Sequence, residues 1–136
     1  MTRRQYPAWV RRRRRGAADG TIMEDLAIAL TAGDRAGIRA MLRFDAVLVI
    51  DSGGLMPESS APIEGRAAAS AGLVALATAE TSGTTASING VEGLVLMRDG
   101  AVVAAITAEI RSRLLSNVWV VCNPEKLKHW NRGSDG

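Results

Sequence analysis

The 136-residue sequence predicts an α+β domain with three helices packed on one face of a mostly antiparallel sheet. Three observations carry that prediction. Apolar residues recur at helical spacing in two regions, one before residue 43 and one over residues 65–80. From residue 84 onward, short runs rich in Val, Ile, Leu and Thr alternate with turn signals, Asn89-Gly90 and Asp99-Gly100 above all. Strands joined in sequence by hairpins form a meander, and helices that precede them gather on one side.

Taken in order, "TIMEDLAIALTAGD" reads as the first helix. Thr21 and Glu24 stand at capping-box spacing, and Ile22, Leu26, Ala29 and Leu30 share a face. Gly33 stops it. Asp34 caps a second helix, "RAGIRAMLRF", with Ile38, Met41 and Leu42 as its apolar face. "DAVLVID" is a strand, with Val47, Val49 and Asp51 on one side and Ala46, Leu48 and Ile50 on the other. "SGGLMPESSAP" is a loop. "EGRAAASAGLVALATAE" is a third helix whose alanines let it approach a sheet closely. "TTASI", "GLVLM", "AVVAAITAEI" and "LLSNVWVVC" make the meander, the last two joined by a polar turn near Arg111 to Arg113. In the last strand, simple alternation puts Leu114, Val118, Val120 and Cys122 with Ser116 on one face. It puts Leu115, Trp119 and Val121 with Asn117 on the other. Both faces are apolar, so a homodimer through the outer face of the sheet is expected.

Charge divides the chain. Residues 1–20 hold seven arginines against one acid, a net +6. Residues 21–136 hold ten Lys and Arg against thirteen Asp and Glu, a net −3. The sequence therefore reads as an Arg-rich disordered tail (1–20), a domain (21–130) and a flexible C-terminus (131–136). The tail is a solvated segment or an over-early start, since Met23 opens the folded part. Its alternative role is phosphate neutralisation on nucleic acid. No apolar run approaches the roughly 18 residues of a membrane span, and one cysteine fits a reducing cytoplasm. A single Cys and a single His leave no Cys/His zinc set, and no phosphate-cradling loop is present, so neither metal nor cofactor is expected.

Four stretches stand out: "DSGG" (51–54), "SINGVEGLVLMRDGAVV" (87–103), "VWVV" (118–121) and "NPEKLKH" (123–129). Together they resemble the C-terminal SnoaL-like domain of a subgroup of extracytoplasmic-function sigma factors, within the nuclear transport factor 2-like superfamily. The resemblance covers about residues 21–130. It implies a cone, in which a bent sheet wraps the third helix and leaves a pocket at the wide end. In that subgroup the domain regulates the sigma core, and the NPDKL-type tail influences activity. Two departures stand out. Ser52 and Leu55 replace a Gly and a Lys, and the twenty residues before Thr21 are too few to hold a sigma core.

The candidate catalytic residues are Asp51, at a strand end before a Gly pair, and Glu109, on a strand near Thr107. Either would serve as a general base only if burial raised its pKa. Asp51 also reads as a turn-former that accepts from the backbone N–H groups of 52–54. The candidate pocket or partner residues are Met97, Asn117, Trp119, Asn123, Lys126, Leu127 and His129. Pro124 ends the strand ladder, and Leu127 and Trp130 are expected to fold back onto the sheet. The expected function is a stand-alone binding or regulatory module with an apolar pocket. The alternative is a small isomerase, cyclase or hydrolase using a pocket carboxylate.

Overall fold

The computed structural model describes residues 19–52, 61–77 and 80–128. The Arg-rich run, most of the loop after Asp51, His129, Trp130 and the segment 131–136 lie outside the described residues. The element order is α1 (Gly20–Thr31), α2 (Arg35–Met41), β1 (Leu42–Asp51), β2 (Ile63–Glu64), α3 (Arg66–Val74), β3 (Thr81–Ile88), β4 (Val91–Arg98), β5 (Ala101–Arg111) and β6 (Leu114–Val121). A helical turn follows over 124–128.

Helix boundaries follow from caps. The Asp19 carboxylate accepts from the Ile22 N–H at 2.9 Å and starts α1. The cap is thus Asp19 rather than Thr21, because an N-terminal carboxylate three residues ahead of a free N–H satisfies that orphan donor directly. Gly33, at φ +67°, ends the helix as its sequence suggests. Asp34 then caps α2 through the Gly37 N–H at 2.9 Å. The second helix stops at Met41; Leu42 is already extended and buried at the start of β1.

The six strands lie in the order β2-β1-β6-β5-β4-β3. The meander pairs antiparallel throughout, while β1 runs parallel to β6 from Leu42–Leu115 to Asp51–Val121. Helices α1, α2 and α3 share one face. Ala46, Leu48 and Ile50 of β1, Leu94 and Leu96 of β4, and Ala104, Ile106 and Ala108 of β5 are buried there against Met23, Leu26, Leu30, Ile38, Ala69 and Leu73. Helix α3 approaches closely enough that a Cβ on Gly72 would lie 2.8 Å from Leu48 Cδ2. That is the close contact its small residues permit.

Alternation breaks at bulges. Between β5 and β6 the register shifts, with Glu109 opposite Asn117 but Ile110 opposite Leu115, which leaves Ser116 as the extra residue. Its hydroxyl donates to the Glu109 carbonyl at 3.1 Å. The slip places Leu115 on the helix-covered face with Val118 and Val120, rather than with Trp119 and Val121 as strict alternation requires. A second shift, in the β4–β5 pairing, puts Val102 on the outer face and Ala104 on the inner one. Bulges of this kind bend a strand and increase its twist.

Three two-residue turns join the meander. Asn89-Gly90, Asp99-Gly100 and Ser112-Arg113 all have positive φ at both positions. Asn, Asp and Gly tolerate this; Ser112 at 55° and Arg113 at 70° carry a Cβ clash there. Arg113→Gly is therefore expected to raise stability by about 1 kcal/mol. A urea-unfolding midpoint that stays level or falls would show that the turn is unstrained.

Candidate functional site

The outer face of the sheet, opposite the helices, collects most of the residues the sequence singles out. Glu109 and Asn117 sit opposite each other on β5 and β6, and Thr107 and Trp119 do the same two residues along. Ala105 and Val121 come next in that row and belong to an outer cluster with Ile88, Val95, Val102 and Leu127, against which Met97 packs. Val49 lies beside Trp119 and Asp51 beside Val121 across the parallel pair. Both candidate carboxylates therefore stand on the face away from the helix-covered core.

Each carboxylate has a partner. Glu109 Oε1 accepts from Asn117 Nδ2 at 2.9 Å. Asp51 Oδ2 meets Lys126 Nζ at 2.6 Å, with 36% and 59% of the two side chains exposed. The Asp51 backbone carbonyl also accepts from the Cys122 N–H at 2.8 Å. Burial pushes the half-buried Cys122 thiol up from its usual range, and the nearby Asp51 carboxylate adds to the effect. The thiol is thus protonated near neutral pH and is a poor nucleophile.

The tail is a fold-back. Asn123 Oδ1 accepts from the Glu125 N–H at 3.0 Å, and its carbonyl accepts from the N–H groups of Lys126 and Leu127. This turns the chain so that Leu127, only 4% exposed, covers the outer cluster, while Lys126 and Lys128 stay in water. Part of the apolar outer face is therefore covered by the chain's own C-terminal turn. Among the described residues, no three His, Cys, Asp or Glu side chains gather as a metal site would need, and no helix is long and apolar enough to cross a membrane.

No protein-family model matches the chain, and no curated protein matches it either. Solved structures do. A sigma factor of the extracytoplasmic-function class from Mycobacterium tuberculosis, SigJ, aligns at TM-score 0.60 and 20% identity, over 79% of this chain and 43% of that one. An NTF-2 like protein of unknown function from Burkholderia xenovorans aligns at 0.56 and 16% identity, over 76% and 80%. The chain has the nuclear transport factor 2-like fold. A computationally designed 17-OHP binder shares that fold too, at TM-score 0.54 and 20% identity over 76% of this chain and 92% of that one. The chain spans under half the length of the sigma factor.

One feature of this NTF2-like domain escaped the sequence reading: a groove between α1 and β3, lined by Glu24, Ala27, Ile28, Thr31 and Gly83 to Thr85. Its signal was present, since Ile28 falls off the apolar face of its helix and is 64% exposed.

Magnitudes separate the two holds on the C-terminal turn. An exposed ion pair contributes about 0.2–1 kcal/mol, whereas truncating a buried leucine costs about 2–5 kcal/mol. Leu127→Ala is expected to destabilise the domain by at least about 2 kcal/mol, and Lys126→Met by under about 1 kcal/mol. Chemical denaturation of the two variants gives the order, and a larger loss for the lysine would reverse the assignment.

Proposed function

We propose that this chain forms a SnoaL-like module that binds or regulates without catalysing, and that its cone takes an apolar small molecule. One observation carries the reading. Among the described residues the buried polar side chains are Ser52, Ser70, Thr81 and Ser116, with no buried Asp, Glu, Lys, Arg or His. Hydroxyls can orient a ligand, but they do not exchange protons near neutrality. The buried side chains are otherwise those of Leu, Ile, Val, Ala and Met, a composition compatible with an apolar guest. The designed 17-OHP binder supports the reading in one respect: this fold can be given a small-molecule site.

The regulatory side of the proposal rests on the sigma-factor resemblance and on the C-terminal turn. That turn lies on the outer face, held by Leu127 and the Asp51–Lys126 pair, where a protein partner could engage it. The outer face beyond Leu127 also supports a homodimer. Val47, Val49 and Trp119 are only half-buried there.

Two experiments test this. Apolar small molecules, 17-OHP among them, are expected to raise the melting temperature of the wild type, and equally that of Asp51→Asn and Glu109→Gln. Turnover of any such compound that either substitution abolishes would replace the module with the enzyme reading. In sedimentation, the wild type is expected as a dimer and Trp119→Lys or Val49→Lys as monomers with wild-type circular dichroism. A monomeric wild type would remove the dimer.

A further inference from the structure

The sheet has two edges, and they differ. At one end stands β2, two residues long; at the other stands β3, eight residues long. Exposed edges of this length are ordinarily blunted by Lys, Asp, Glu, Arg or Pro. The β3 sequence, "TSGTTASI", contains none of them.

The hairpin geometry fixes which backbone groups face outward. Positive φ at Asn89 and Gly90 makes a two-residue type I′ turn, so Ile88 and Val91 exchange both ladder hydrogen bonds. Ile88, Ala86, Thr84 and Ser82 therefore bond to β4. The N–H and C=O groups of Gly83, Thr85 and Ser87 point the other way, toward an edge that no strand among the described residues covers.

Helix α1 flanks that edge. Ala27 packs over Gly83, where an added Cβ would lie 3.4 Å from the Ala27 Cβ. Between helix and strand lies a cavity of about 170 Å³, walled by Glu24, Ala27, Ile28 and Thr31 on one side and Gly83, Thr84 and Thr85 on the other. Glu24 is the one charged residue in this lining. An outward row of strand hydrogen-bonding groups beside a helix with an exposed aliphatic side chain is the arrangement that receives an extended peptide as an added strand.

We propose that the α1–β3 groove is a β-augmentation site for an extended segment of a partner protein. That segment carries an aliphatic side chain facing Ala27 and Ile28 and a Lys or Arg facing Glu24. Its backbone pairs with Gly83, Thr85 and Ser87. The choice of a basic occupant follows from charge: the lining offers one carboxylate and no cation to oppose it. This site is separate from the cone interior and from the outer sheet face, so it stands or falls independently of the function proposed above.

The test uses the full chain and a synthetic seven-residue peptide, acetyl-Thr-Val-Thr-Arg-Val-Thr-Val-amide, followed by amide NMR and hydrogen exchange. Expected is saturable binding that slows exchange at Gly83, Thr85 and Ser87 and leaves Ser82, Thr84 and Ala86 unchanged. Thr85→Pro removes one outward N–H without touching the β3–β4 ladder and is expected to abolish binding. A peptide N-methylated at alternate residues, which alters nothing in the protein, is expected to fail as well. Glu24→Gln is expected to weaken binding about two- to fivefold, and an Arg-to-Glu peptide to weaken it further. Protection at Ser82 and Thr84 instead, or binding indifferent to N-methylation, would overturn the proposal. So would protection of the three amides in the free chain that rises with protein concentration, since the occupant would then be a second copy. Protection lost when residues 1–18 are removed would assign the groove to the chain's own N-terminal segment and overturn it equally.

Discussion

The pairing of β1 with β6 is the constraint on which the other parts rest. Among the described residues it is the one parallel pair in the sheet, and it joins residues 42–51 to residues 115–121. Without it the meander would be a four-stranded ribbon and α2, α3 and β1 would have no sheet to pack against. With it, Leu48 and Ile50 come into line with Val118 and Val120, and one row of apolar side chains runs under the helices. Arg66 reinforces the same seam, its Nε donating to the Leu42 carbonyl at 2.9 Å and fixing the start of α3 to the start of β1.

The seam also decides where polarity goes. Parallel alignment puts Asp51 beside Val121, two residues before the chain turns at Asn123, and so within reach of Lys126. The carboxylate is held at the rim, where water screens it and a surface ammonium balances it. Glu109 is likewise on the outer face and bonded to Asn117. Burying either in an apolar interior would cost several kcal/mol unless it were paired or protonated. Among the described residues the fold avoids that cost, since its buried polar side chains are hydroxyls.

Local features were legible in the sequence; non-local and phase-shifting ones were not. Asn89-Gly90 and Asp99-Gly100 announce their turns because few other residues accept positive φ. Asp34 and Gly33 mark a helix junction for the same kind of local reason. The phase of β6 was lost at Ser116, because a bulge adds a residue without any distinctive composition, and everything N-terminal to it changes face. The sharing of one outer face by Asp51, Trp119, Met97 and Leu127 could not be read either, since strand order is set by contacts far apart in sequence. Sequence did indicate that Leu127 folds back and that its lysine neighbours stay wet, because Asn-Pro stops a strand and an isolated leucine between two lysines has one way to be buried.

The tight turns have a kinetic consequence. Strands β3 to β6 are neighbours in sequence as well as in space, so each hairpin closes a loop of two residues, an event on the order of microseconds. The seam, by contrast, must close roughly seventy residues of chain before any contact rewards it, and loop entropy makes that the slow part of assembly. The meander can therefore serve as a template, standing ready while the N-terminal half searches for it. During that wait the apolar side of β6 is uncovered, and the folding chain is then most exposed to wrong pairing.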